Sequence, residues 1–458
     1  MPNTAKHARI CVVGAGAAGL SAAYFLKQRG YENVVVLEKN GRVGGLCCSI
    51  TYKSRSFDLG ANYLTPAYKE VLKIAKEVGA ELYSEGPGQV YDPFASQPNK
   101  PVFKSIQETV MQGTDLFTYG GAIARFYWER SQLEAILSVP GFAGISLHPE
   151  LTQPFSNWLA EKDLSCLSTL FELPITNMGY GDLNEIPTAY ALKYMTIETF
   201  TTLVTYGAGL PLGWPKRFID GFQRFWERVS WGLEVHFNVS IKSIKRGATI
   251  NVHFLEQEQI LDDFDTWEQN LEFDYLILAC PLTLDVLQTF LDLSPTEKEL
   301  FQKIELNPYS LTTYQIPNFS MGTPVTNVIP MNQEGNPWFI SQQFLDNDLV
   351  AFYTRLPWEE DLIDWKNHAS RSDRRDEVIK GIQATMQNIG VELDDQFYSY
   401  DEWPYFPHVT SEVMQSGFYD RLEALQGQRK TFYVGGLLNF ELVETIVEYS
   451  KALVEKNF

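Results

Sequence analysis

The chain has 458 residues, of which 45% are hydrophobic, 14% aromatic and 21% charged. This composition excludes a disordered chain, and the length exceeds one ordinary core, so two domains, or one domain interrupted by insertions, are expected. The net charge of −20 argues against nucleic acid as a partner and against docking on anionic membranes, because like charges repel.

The first forty residues are typical of one βαβ unit. Arg9 to Val13 is a short apolar run that predicts a buried parallel strand. A helix is expected from about Ala18 to Gln28, and Gly30 suits the left-handed position that ends a helix. Asn33 to Leu37 predicts a second buried strand, which ends on Glu38. Strand, glycine turn, helix and strand in this order form a βαβ unit.

The turn between the first strand and the helix reads G-x-G-x-x-G, which in this context predicts a dinucleotide site. Gly14 permits a tight turn, Gly16 lets the backbone approach a pyrophosphate, and Gly19 lets helix and strand pack closely. The helix N-terminus then faces the phosphates. Glu38 is placed to accept the ribose hydroxyls. These features fit NAD as well as FAD.

Further small-residue segments favour FAD. Arg42-Val43-Gly44-Gly45 allows a second loop to lie against an extended dinucleotide, and Phe57 to Asn62 adds another close approach. Tyr433-Val434-Gly435-Gly436 places one more such turn before a helix. FAD is therefore the expected cofactor.

The rest of the chain alternates between helical and strand-like patterns. Residues 66 to 205 are mostly helical and aromatic, as in Tyr119 to Leu137 and Tyr190 to Leu203. Strands are expected at Leu233 to Val239, Ile241 to Val252, Phe273 to Pro281, Ser310 to Ile316, Trp338 to Phe344, Leu349 to Thr354 and Lys430 to Val434, and helices at Arg374 to Ile389 and Glu441 to Glu455. No repeat or low-complexity linker separates these elements, which predicts interleaved domains.

The expected fold class is α/β, with a Rossmann-like FAD-binding domain interleaved with a mixed α+β substrate domain and a helical cap. The FAD-binding domain is predicted to comprise residues 1–65, 206–290 and 401–458. Residues 66–205 are expected to form the helical cap and part of the substrate domain. Residues 291–400 are expected to form the substrate-domain sheet.

The cysteines and the N-terminus predict the compartment. The five cysteines include the adjacent Cys47 and Cys48 and form no C-x-x-C spacing, which indicates a reducing environment without a disulfide framework or zinc site. The N-terminal residues lack the apolar stretch of a signal peptide, and no apolar run is long enough to span a bilayer. A cytoplasmic protein without stable membrane insertion is expected, and no protein partner is inferred.

On these motifs the chain resembles the flavin amine oxidase superfamily, whose members carry G-x-G-x-x-G, E-x-x-x-R-x-G-G, D-x-G-A and a late Y-x-G-G-like turn. The resemblance implies that Val239 contacts the adenine half and that Cys280 lies at a second crossover near the dinucleotide. The expected cofactor contacts are Gly14, Gly16, Ala18, Gly19, Glu38, Lys39, Arg42, Gly44, Gly45, Leu46, Gly60, Ala61, Asn62, Val239, Cys280, Gly435, Gly436, Val443 and Glu444.

A closer resemblance extends across most of the length. Gly179 to Gly181, Pro187 to Tyr194, Tyr405 to Val409, Leu425 to Arg429 and Tyr449 to Lys451 resemble FAD-dependent polyenoic fatty acid double-bond isomerases. The resemblance implies that flavin N5 takes a hydride from the carbon between two double bonds and returns it to another carbon, without net redox change. The protein then positions the lipid chain and excludes water. No catalytic side chain is assigned.

Departures from the family patterns bear on the substrate. Amine oxidases of the superfamily usually place a lysine near flavin N5, on a strand that corresponds to Ser310 to Ile316, and that segment contains no lysine. The characterised type of isomerase holds the fatty acid carboxylate with an arginine, whereas Gln89 to Asp92 here contains none. Its aromatic gate corresponds to Leu203. A neutral or esterified lipid, or a different polyene, therefore stands beside the free fatty acid as a possible small hydrophobic substrate.

The expected substrate contacts are Tyr63, Phe200, Leu203, Tyr206 and Phe406. Buried aromatic residues of this kind are also typical of ordinary core. The main hypothesis is an isomerase that moves a double bond in a polyunsaturated fatty acid or related lipid. Two alternatives stay open: an FAD-dependent oxidase or desaturase of an amine or polyene, and a non-catalytic FAD-binding module. The scattered histidines form no metal-ligand pattern, so no metal is expected.

Overall fold

The computed structural model describes residues 5–97, 100–260, 263–330, 335–356 and 368–458. Residues 1–4, which belong to the N-terminal segment assessed for a signal peptide, lie outside the described part. The strands are β1 (Ile10–Val13), β2 (Val34–Leu37), β3 (Ser49–Tyr52), β4 (Arg55–Asp58), β5 (Leu82–Ser84), β6 (Gln89–Tyr91), β7 (Phe103–Ser105), β8 (Lys216–Phe218), β9 (Glu234–His236), β10 (Val239–Arg246), β11 (Ile250–Ile260), β12 (Asp263–Phe273), β13 (Tyr275–Leu278), β14 (Glu305–Gln315), β15 (Val325–Val328), β16 (Pro337–Ser341), β17 (Leu349–Arg355), β18 (Ser399–His408) and β19 (Thr431–Tyr433). The helices are α1 (Ala17–Gln28), α2 (Lys69–Glu77), α3 (Ile106–Val110), α4 (Leu116–Gln132), α5 (Glu134–Leu137), α6 (Pro149–Thr152), α7 (Phe155–Glu161), α8 (Ser168–Glu172), α9 (Thr188–Tyr194), α10 (Ile197–Gly207), α11 (Phe222–Ser230), α12 (Leu284–Leu287), α13 (Pro295–Phe301), α14 (His368–Ile389), α15 (Ser411–Gln415), α16 (Phe418–Glu423), α17 (Gly436–Asn439) and α18 (Val443–Asn457).

A parallel sheet carries the predicted βαβ unit. Its strand order is β19-β13-β1-β2-β9, and every neighbouring pair is parallel. β1 is buried along its whole length, as expected for a strand that other elements cover on both faces. Because the strands are parallel, the carboxyl ends of β1, β13 and β19 meet at one edge of the sheet. A ligand crevice of a parallel α/β sheet lies at this edge.

A second, three-stranded antiparallel sheet has the order β10-β11-β12. The prediction of one strand from Ile241 to Val252 is wrong. The chain reverses at Gly247, whose N–H donates to the Thr249 carbonyl at 3.0 Å, and β11 begins at Ile250. Apolar residues recur on both sides of the turn, so their pattern alone does not mark the reversal.

The largest sheet has seven strands in the order β18-β14-β17-β16-β15-β6-β7. Helix α14 packs on one of its faces, and the other face packs against Leu59 and Tyr63, which follow β4, and against Met178. β18 pairs with β14 and ends at His408, so this sheet continues past residue 400, where the predicted substrate domain ends. The other domain limits stay a prediction.

The stretch between residues 66 and 205, expected to be mostly helical, contains α2 to α9, most of α10 and the short strands β5 to β7. The α/β fold class predicted from the sequence is confirmed. The closing helix begins at Val443 rather than at the predicted Glu441, because Leu442 has an extended backbone with a φ of −127° and a ψ of 136°. Glu441 therefore lies in the short link between α17 and α18. In the described part of the chain, no helix is both long and apolar enough to cross a membrane.

Candidate cofactor and substrate site

The glycine turn between β1 and α1 has the geometry of a dinucleotide site. Gly14 has a φ of +105°, and a Cβ there would lie 2.9 Å from the Ala279 carbonyl oxygen, so both conformation and space require glycine. Gly16 precedes α1 without a side-chain cap, which leaves the first amide groups of the helix open to an anion. A Cβ on Gly16 would meet only the Gly45 Cα, at 3.7 Å. Protein packing alone therefore does not require glycine at position 16.

Glu38, at the end of β2, is bonded to this turn. Its Oε2 accepts a hydrogen bond from the Ala15 N–H at 2.7 Å, and its Oε1 accepts one from the Asn40 N–H at 2.9 Å. The side chain is buried. The Glu38 carbonyl accepts from the Val239 N–H at 2.9 Å, which places the predicted adenine contact beside the predicted ribose contact. The carboxylate oxygens keep free lone pairs for ribose hydroxyls.

The second glycine loop lies directly on the first. Gly44 pairs with Gly16 in an isolated parallel bridge, and its N–H donates to the Ala15 carbonyl at 2.8 Å. Arg42 donates to the Gly45 carbonyl at 3.0 Å, so its guanidinium shapes its own loop. A Cβ on Gly60 would overlap the Leu46 carbonyl oxygen. Three small-residue segments that are separate in the sequence thus meet at the end of β1.

The C-terminal turn completes this arrangement. The Val434 N–H donates to the Leu278 carbonyl at 3.0 Å, which holds the turn beside the end of β13 and the following Cys280. Gly435 has a φ of +137°, and no atom lies within 4 Å of the position that its Cβ would occupy. An open space therefore lies in front of this turn. The residues present fit a dinucleotide that extends from Glu38 past Gly16 toward Gly435.

Several expected cofactor contacts have other roles for their side chains. The Glu444 carboxylate accepts from the N–H groups of Glu70 at 2.7 Å and Val71 at 2.9 Å, so it caps α2. Lys39 is exposed, and Ala18 is buried within α1. Any contact of Glu444 with a cofactor would then be made by its main chain in the first turn of α18, next to Val443.

Several side chains near the cofactor turn border a crevice, here named the internal space. Burial raises the pKa of each of them, and each still keeps accessible surface. They are Tyr63, Tyr194, Tyr206, Cys280, Tyr405 and Glu441. Burial raises the pKa of the Cys280 thiol to about 12, so this thiol is neutral near pH 7. The space joins the predicted cofactor turn with two of the predicted substrate contacts, Tyr63 and Tyr206.

A continuous row of aromatic rings, here named the aromatic wall, borders this space. Its rings, in spatial order, are Tyr63, Phe339, Tyr353, Tyr309, Tyr405, Tyr180 and Phe406. Successive ring centroids lie between 5.0 Å and 6.2 Å apart. The hydroxyl of Tyr353 accepts from Asn62 Nδ2 at 3.1 Å, which ties the wall to the predicted cofactor loop.

The central part of the aromatic wall is not evident from the sequence. Tyr309 and Tyr353 lie on β14 and β17, on the face opposite to α14. Tyr309 is two residues from Leu311 on β14, and Tyr353 is two residues from Ala351 on β17. Alternate residues of a strand share a face, so this spacing is the one sequence feature that could have placed both tyrosines on this side. Both strands are buried on both faces, so hydrophobicity does not separate the two sides.

The other two expected substrate contacts lie in the cap. Phe200 is fully buried against Phe126, with ring centroids 4.0 Å apart, and against Phe171 at 5.7 Å. Leu203 is buried on the same helix, α10. The structure thus brings Tyr63, Tyr206 and Phe406 to the internal space and its wall, and places Phe200 in the aromatic core of the cap.

A buried arginine that the sequence analysis did not identify lies near Tyr63. The Arg217 guanidinium is 4.4 Å from the centroid of the Tyr63 ring, and its Nε donates to Glu85 Oε1. Arg217 and Glu85 are each almost completely buried. Burial raises the pKa of Glu85, and Arg217 opposes that rise. The positive charge of Arg217 is therefore already balanced by a partner.

Glu441 differs from the other buried acids of the site. No described residue donates a hydrogen bond to its carboxylate, and burial alone raises its pKa to about 7. A Cβ on Gly436 would overlap Glu441 Oε2, so the carboxylate rests on the cofactor turn. In the ranges that the structure describes, no group of three or more His, Cys, Asp or Glu side chains is placed to hold a metal ion.

Comparison with known proteins agrees with this geometry. Residues 17–329 match the family described as flavin containing amine oxidoreductase. A crystal structure of a CLA-producing fatty acid isomerase from P. acnes superimposes with a TM-score of 0.82 and 25% sequence identity, and the match covers 100% of both chains.

Curated relatives give two kinds of likeness. A FAD-dependent oxidoreductase of Colletotrichum higginsianum is 23% identical over 446 residues, which are 93% of this chain and 88% of that protein. A polyenoic fatty acid isomerase of Ptilota filicina is 46% identical over 70 residues, which are 15% of this chain and 14% of that protein. The first match covers most of both chains at low sequence identity, whereas the second covers a short segment at higher identity.

Proposed function

Since this chain belongs to the flavin containing amine oxidoreductase family, its cofactor is FAD, and we propose that it moves a double bond in a polyunsaturated fatty acid or a related lipid. The observation that carries the proposal is the likeness to the fatty acid isomerase of P. acnes, which spans both chains completely at 25% identity. The short, closer match to the polyenoic fatty acid isomerase of Ptilota filicina supports the same activity.

The proposed cofactor contacts follow the geometry of the glycine segments. Glu38 would bind the ribose hydroxyls, the turn at Gly16 would bind the pyrophosphate, and the turn at Gly435 would face the flavin ring. Bound FAD supplies at N5 a group that accepts a hydride and returns it. The closing helix α18 is proposed to contact the ring through the main chain of Val443 and Glu444.

The internal space suits a lipid chain. The aromatic wall offers flat apolar surfaces against which a polyene can lie, and a lipid chain bound there would displace water from the reacting carbons. β14 contains no lysine, which supports a reaction other than amine oxidation. The protein's contribution in this proposal is to hold and shield the chain, and no side chain is proposed as an acid or base.

The proposal is tested by separating isomerisation from net oxidation. The purified flavoprotein is supplied with polyunsaturated fatty acids, their neutral derivatives and a set of amines, in air and under nitrogen. An isomerase forms product at the same rate in both atmospheres and releases no peroxide. Amine-dependent bleaching of the flavin, together with unchanged polyenes, would contradict the proposal.

A second candidate is an FAD-dependent oxidase or desaturase. The long match to the FAD-dependent oxidoreductase of Colletotrichum higginsianum favours this alternative. It differs from the first candidate in electron balance, because each product molecule would be accompanied by one molecule of peroxide or of reduced acceptor. The same experiment therefore distinguishes the two candidates.

A further inference from the structure

Three buried polar atoms without a hydrogen-bond partner belong to neighbouring groups at the Tyr63 end of the aromatic wall. They are Nη1 of Arg217, Oε2 of Glu85 and the hydroxyl oxygen of Tyr63, and none of the described residues satisfies them. The guanidinium lies 4.4 Å from the centroid of the Tyr63 ring, and its Nε donates to the other carboxylate oxygen of Glu85. Buried polar groups in proteins almost always have partners, so three such atoms in one place indicate a ligand.

The main chain and a neighbouring strand hold Arg217 and Glu85 in position. Arg217 lies on β8 and Glu85 directly follows β5, and these two strands are paired. Nη2 of Arg217 donates to Ser341 Oγ at 3.4 Å, and the Glu85 N–H donates to the Pro215 carbonyl at 2.9 Å. Only 1% of each of the two charged side chains is exposed. The unpaired donor and the unpaired acceptor are therefore fixed on one buried ion pair.

Two tyrosines connect this ion pair with the internal space. Tyr63 and Tyr206 keep accessible surface there. Burial and the nearby charge of Glu85 both raise the pKa of each phenol, which places both rings beside the pair. The polar end of a chain that lies along the aromatic wall reaches Arg217 when the Tyr63 ring turns aside. The Tyr63 hydroxyl has no hydrogen-bond partner among the described residues, so no such bond opposes the movement.

The tyrosines that surround the ion pair carry no charge near pH 7. Besides Tyr63 after β4 and Tyr206 on α10, they are Tyr83 on β5 and Tyr353 on β17. Burial raises the pKa of all four well above the ordinary value. The charge that a ligand meets here is therefore set by the arginine and the carboxylates.

Two carboxylates already face Arg217. One is Glu85, and the other is Asp58 on β4, which accepts from the Ser49 hydroxyl at 2.6 Å and from the Phe222 N–H at 2.7 Å. Burial raises the pKa of Asp58 to about 6. It also raises the pKa of Glu85, against the opposing effects of Arg217 and Tyr63. An additional ionised carboxylate would be a third negative charge beside a single guanidinium, so a ligand carboxyl group is favoured when it carries a proton.

A carboxyl group with one proton matches the two unpaired atoms of the ion pair. Its carbonyl oxygen accepts from Arg217 Nη1, and its O–H donates to Glu85 Oε2. Ligand and Glu85 then share one proton, as two carboxyl groups in contact do. A primary amide also accepts and donates, whereas a methyl ester only accepts.

We infer that Arg217 and Glu85 bind the terminal carboxyl group of the lipid together with one proton. The inference rests on the proposed function, because it takes the chain along the aromatic wall as the substrate. It names the substrate class as polyunsaturated free acids rather than their esters. Arg217 and Glu85 are thus specificity-determining residues, and neither takes part in the hydride transfer.

The inference is tested by binding, separately from turnover. One polyunsaturated chain is prepared as the free acid, the primary amide and the methyl ester, and each is titrated into the holoenzyme below its micelle concentration. Isothermal titration calorimetry at pH 8, in two buffers of different ionisation enthalpy, gives the dissociation constant and the number of protons taken up. The acid is expected to take up about one proton per lipid and the amide none. The amide should bind at least about tenfold more tightly than the ester.

The pH dependence gives a second measurement on the unaltered protein. From pH 7.5 to pH 8.5 the dissociation constant of the acid should rise about tenfold, because one proton must be bound with it. The dissociation constant of the amide should change by less than about threefold over the same range. These values give an answer even where a variant folds poorly.

Variants locate the effect. Glu85→Gln offers an amide donor to an ionised carboxylate, so the acid should bind without proton uptake and with less than about threefold change between pH 7.5 and pH 8.5. The double variant Glu85→Gln with Arg217→Met removes the site, and the three lipids should bind it within about threefold of one another. The control Glu423→Gln alters a half-buried carboxylate that accepts from Tyr449 Oη at 2.7 Å, and should keep the wild-type proton uptake.

The opposite results overturn the inference. If the three unpaired atoms bind only an ordinary buried water, the three lipids bind the wild type equally, and Glu85→Gln leaves their affinities and the proton uptake unchanged. Isomer formation from an acid that binds without proton uptake would refute the inference while the proposed function stands. Proton-linked binding of the acid, with no isomer formed from any of the three lipids, would refute the proposed function and leave the carboxyl site in place.

Discussion

The carboxylate of Glu38 accepts a hydrogen bond from the backbone N–H of Ala15 at 2.7 Å, so the end of β2 is bonded to the glycine turn that follows β1. This contact fixes the turn before any cofactor is present. It places the acidic side chain and the open amide groups of α1 on the same side of the sheet edge.

Gly16→Ala is expected to reduce FAD affinity without damage to the fold. A Cβ at this position meets only the Gly45 Cα, at 3.7 Å, and Gly16 has an extended backbone with a φ of −77°. The methyl group would instead occupy the path of the pyrophosphate. We expect the dissociation constant for FAD to rise at least about tenfold, or ~1.4 kcal/mol.

Gly247→Ala is the matched control for this substitution. A Cβ on Gly247 would lie 3.8 Å from the Thr249 carbonyl oxygen, in the turn between β10 and β11. Both variants should unfold at temperatures close to that of the wild-type apoprotein. Equal FAD content in the two purified variants would remove Gly16 from the proposed cofactor site.

Glu38→Gln is expected to weaken FAD binding as well. The amide offers only one acceptor oxygen, so either Ala15 or Asn40 loses its hydrogen-bond acceptor, and the ribose hydroxyls lose a charged one. We expect a rise in the dissociation constant of about tenfold or more, measured by equilibrium fluorescence of added FAD. Glu392→Gln, which changes an exposed acid, serves as the control. An unchanged affinity in Glu38→Gln would show that the ribose is held elsewhere.

The buried pair of Arg217 and Glu85 is expected to behave as a coupled unit. Glu85→Gln leaves an uncompensated buried guanidinium, so the free energy of unfolding should fall by about 3 kcal/mol. The double variant Glu85→Gln with Arg217→Met removes both charges and should recover a large part of that loss. Denaturant unfolding of the single and double variants measures the coupling. Strictly additive losses would contradict the pairing.

How much of this site the sequence predicts depends on how local each feature is. The turn at Gly14, the helix that follows and Glu38 lie within one βαβ unit, so turn chemistry and apolar spacing define them. The pairing of β6 with β15 joins Val90 to Asn327, far apart in the chain, and nothing in either segment encodes that partner. Long-range pairing is decided by packing of the complete chain.

The same limit explains why the sequence pattern places Glu441 in the closing helix. Glu441 and the residues after it have helical spacing, and only the extended backbone of Leu442 separates this acid from α18. The sequence does not reveal the contact of Arg217 with Glu85 either. The strands β5 and β8 pair with each other, but the whole cap region separates them in the sequence. Charged residues in a sequence are usually exposed, and burial of these two is a property of the tertiary structure.

Acid titration should reveal the contribution of the ion pair between Glu297 and Arg246 to stability. Burial acts to raise the pKa of Glu297, but hydrogen bonds from Arg246 and Tyr433 outweigh it and lower that pKa to about 2. A lowered carboxyl pKa stabilises the fold above the ordinary value near 4.5, and this stability is lost as the pH falls from there through about 2.

Glu297→Gln isolates this contribution. At pH 7 the variant should be less stable than the wild type by about 3 kcal/mol, because Arg246 and Tyr433 lose the charged carboxylate that they bind and Arg246 keeps only Asp292. The difference should shrink as the pH falls toward 2, where the wild-type carboxyl also becomes protonated. Urea unfolding at a series of pH values measures it, and a difference that stays constant with pH would exclude the assigned cause.

The proposed reaction is tested most directly by following the hydrogen that moves. A polyunsaturated lipid carrying deuterium on the carbon between two double bonds is incubated with the holoenzyme under nitrogen, and the product is analysed by mass spectrometry and NMR. We expect a product of unchanged mass, with the deuterium on a new carbon of the chain, a shifted double bond and a flavin spectrum that is oxidised at the end. A product lighter by two hydrogens, formed with stoichiometric bleaching of the flavin, would contradict the isomerase and favour the oxidase or desaturase.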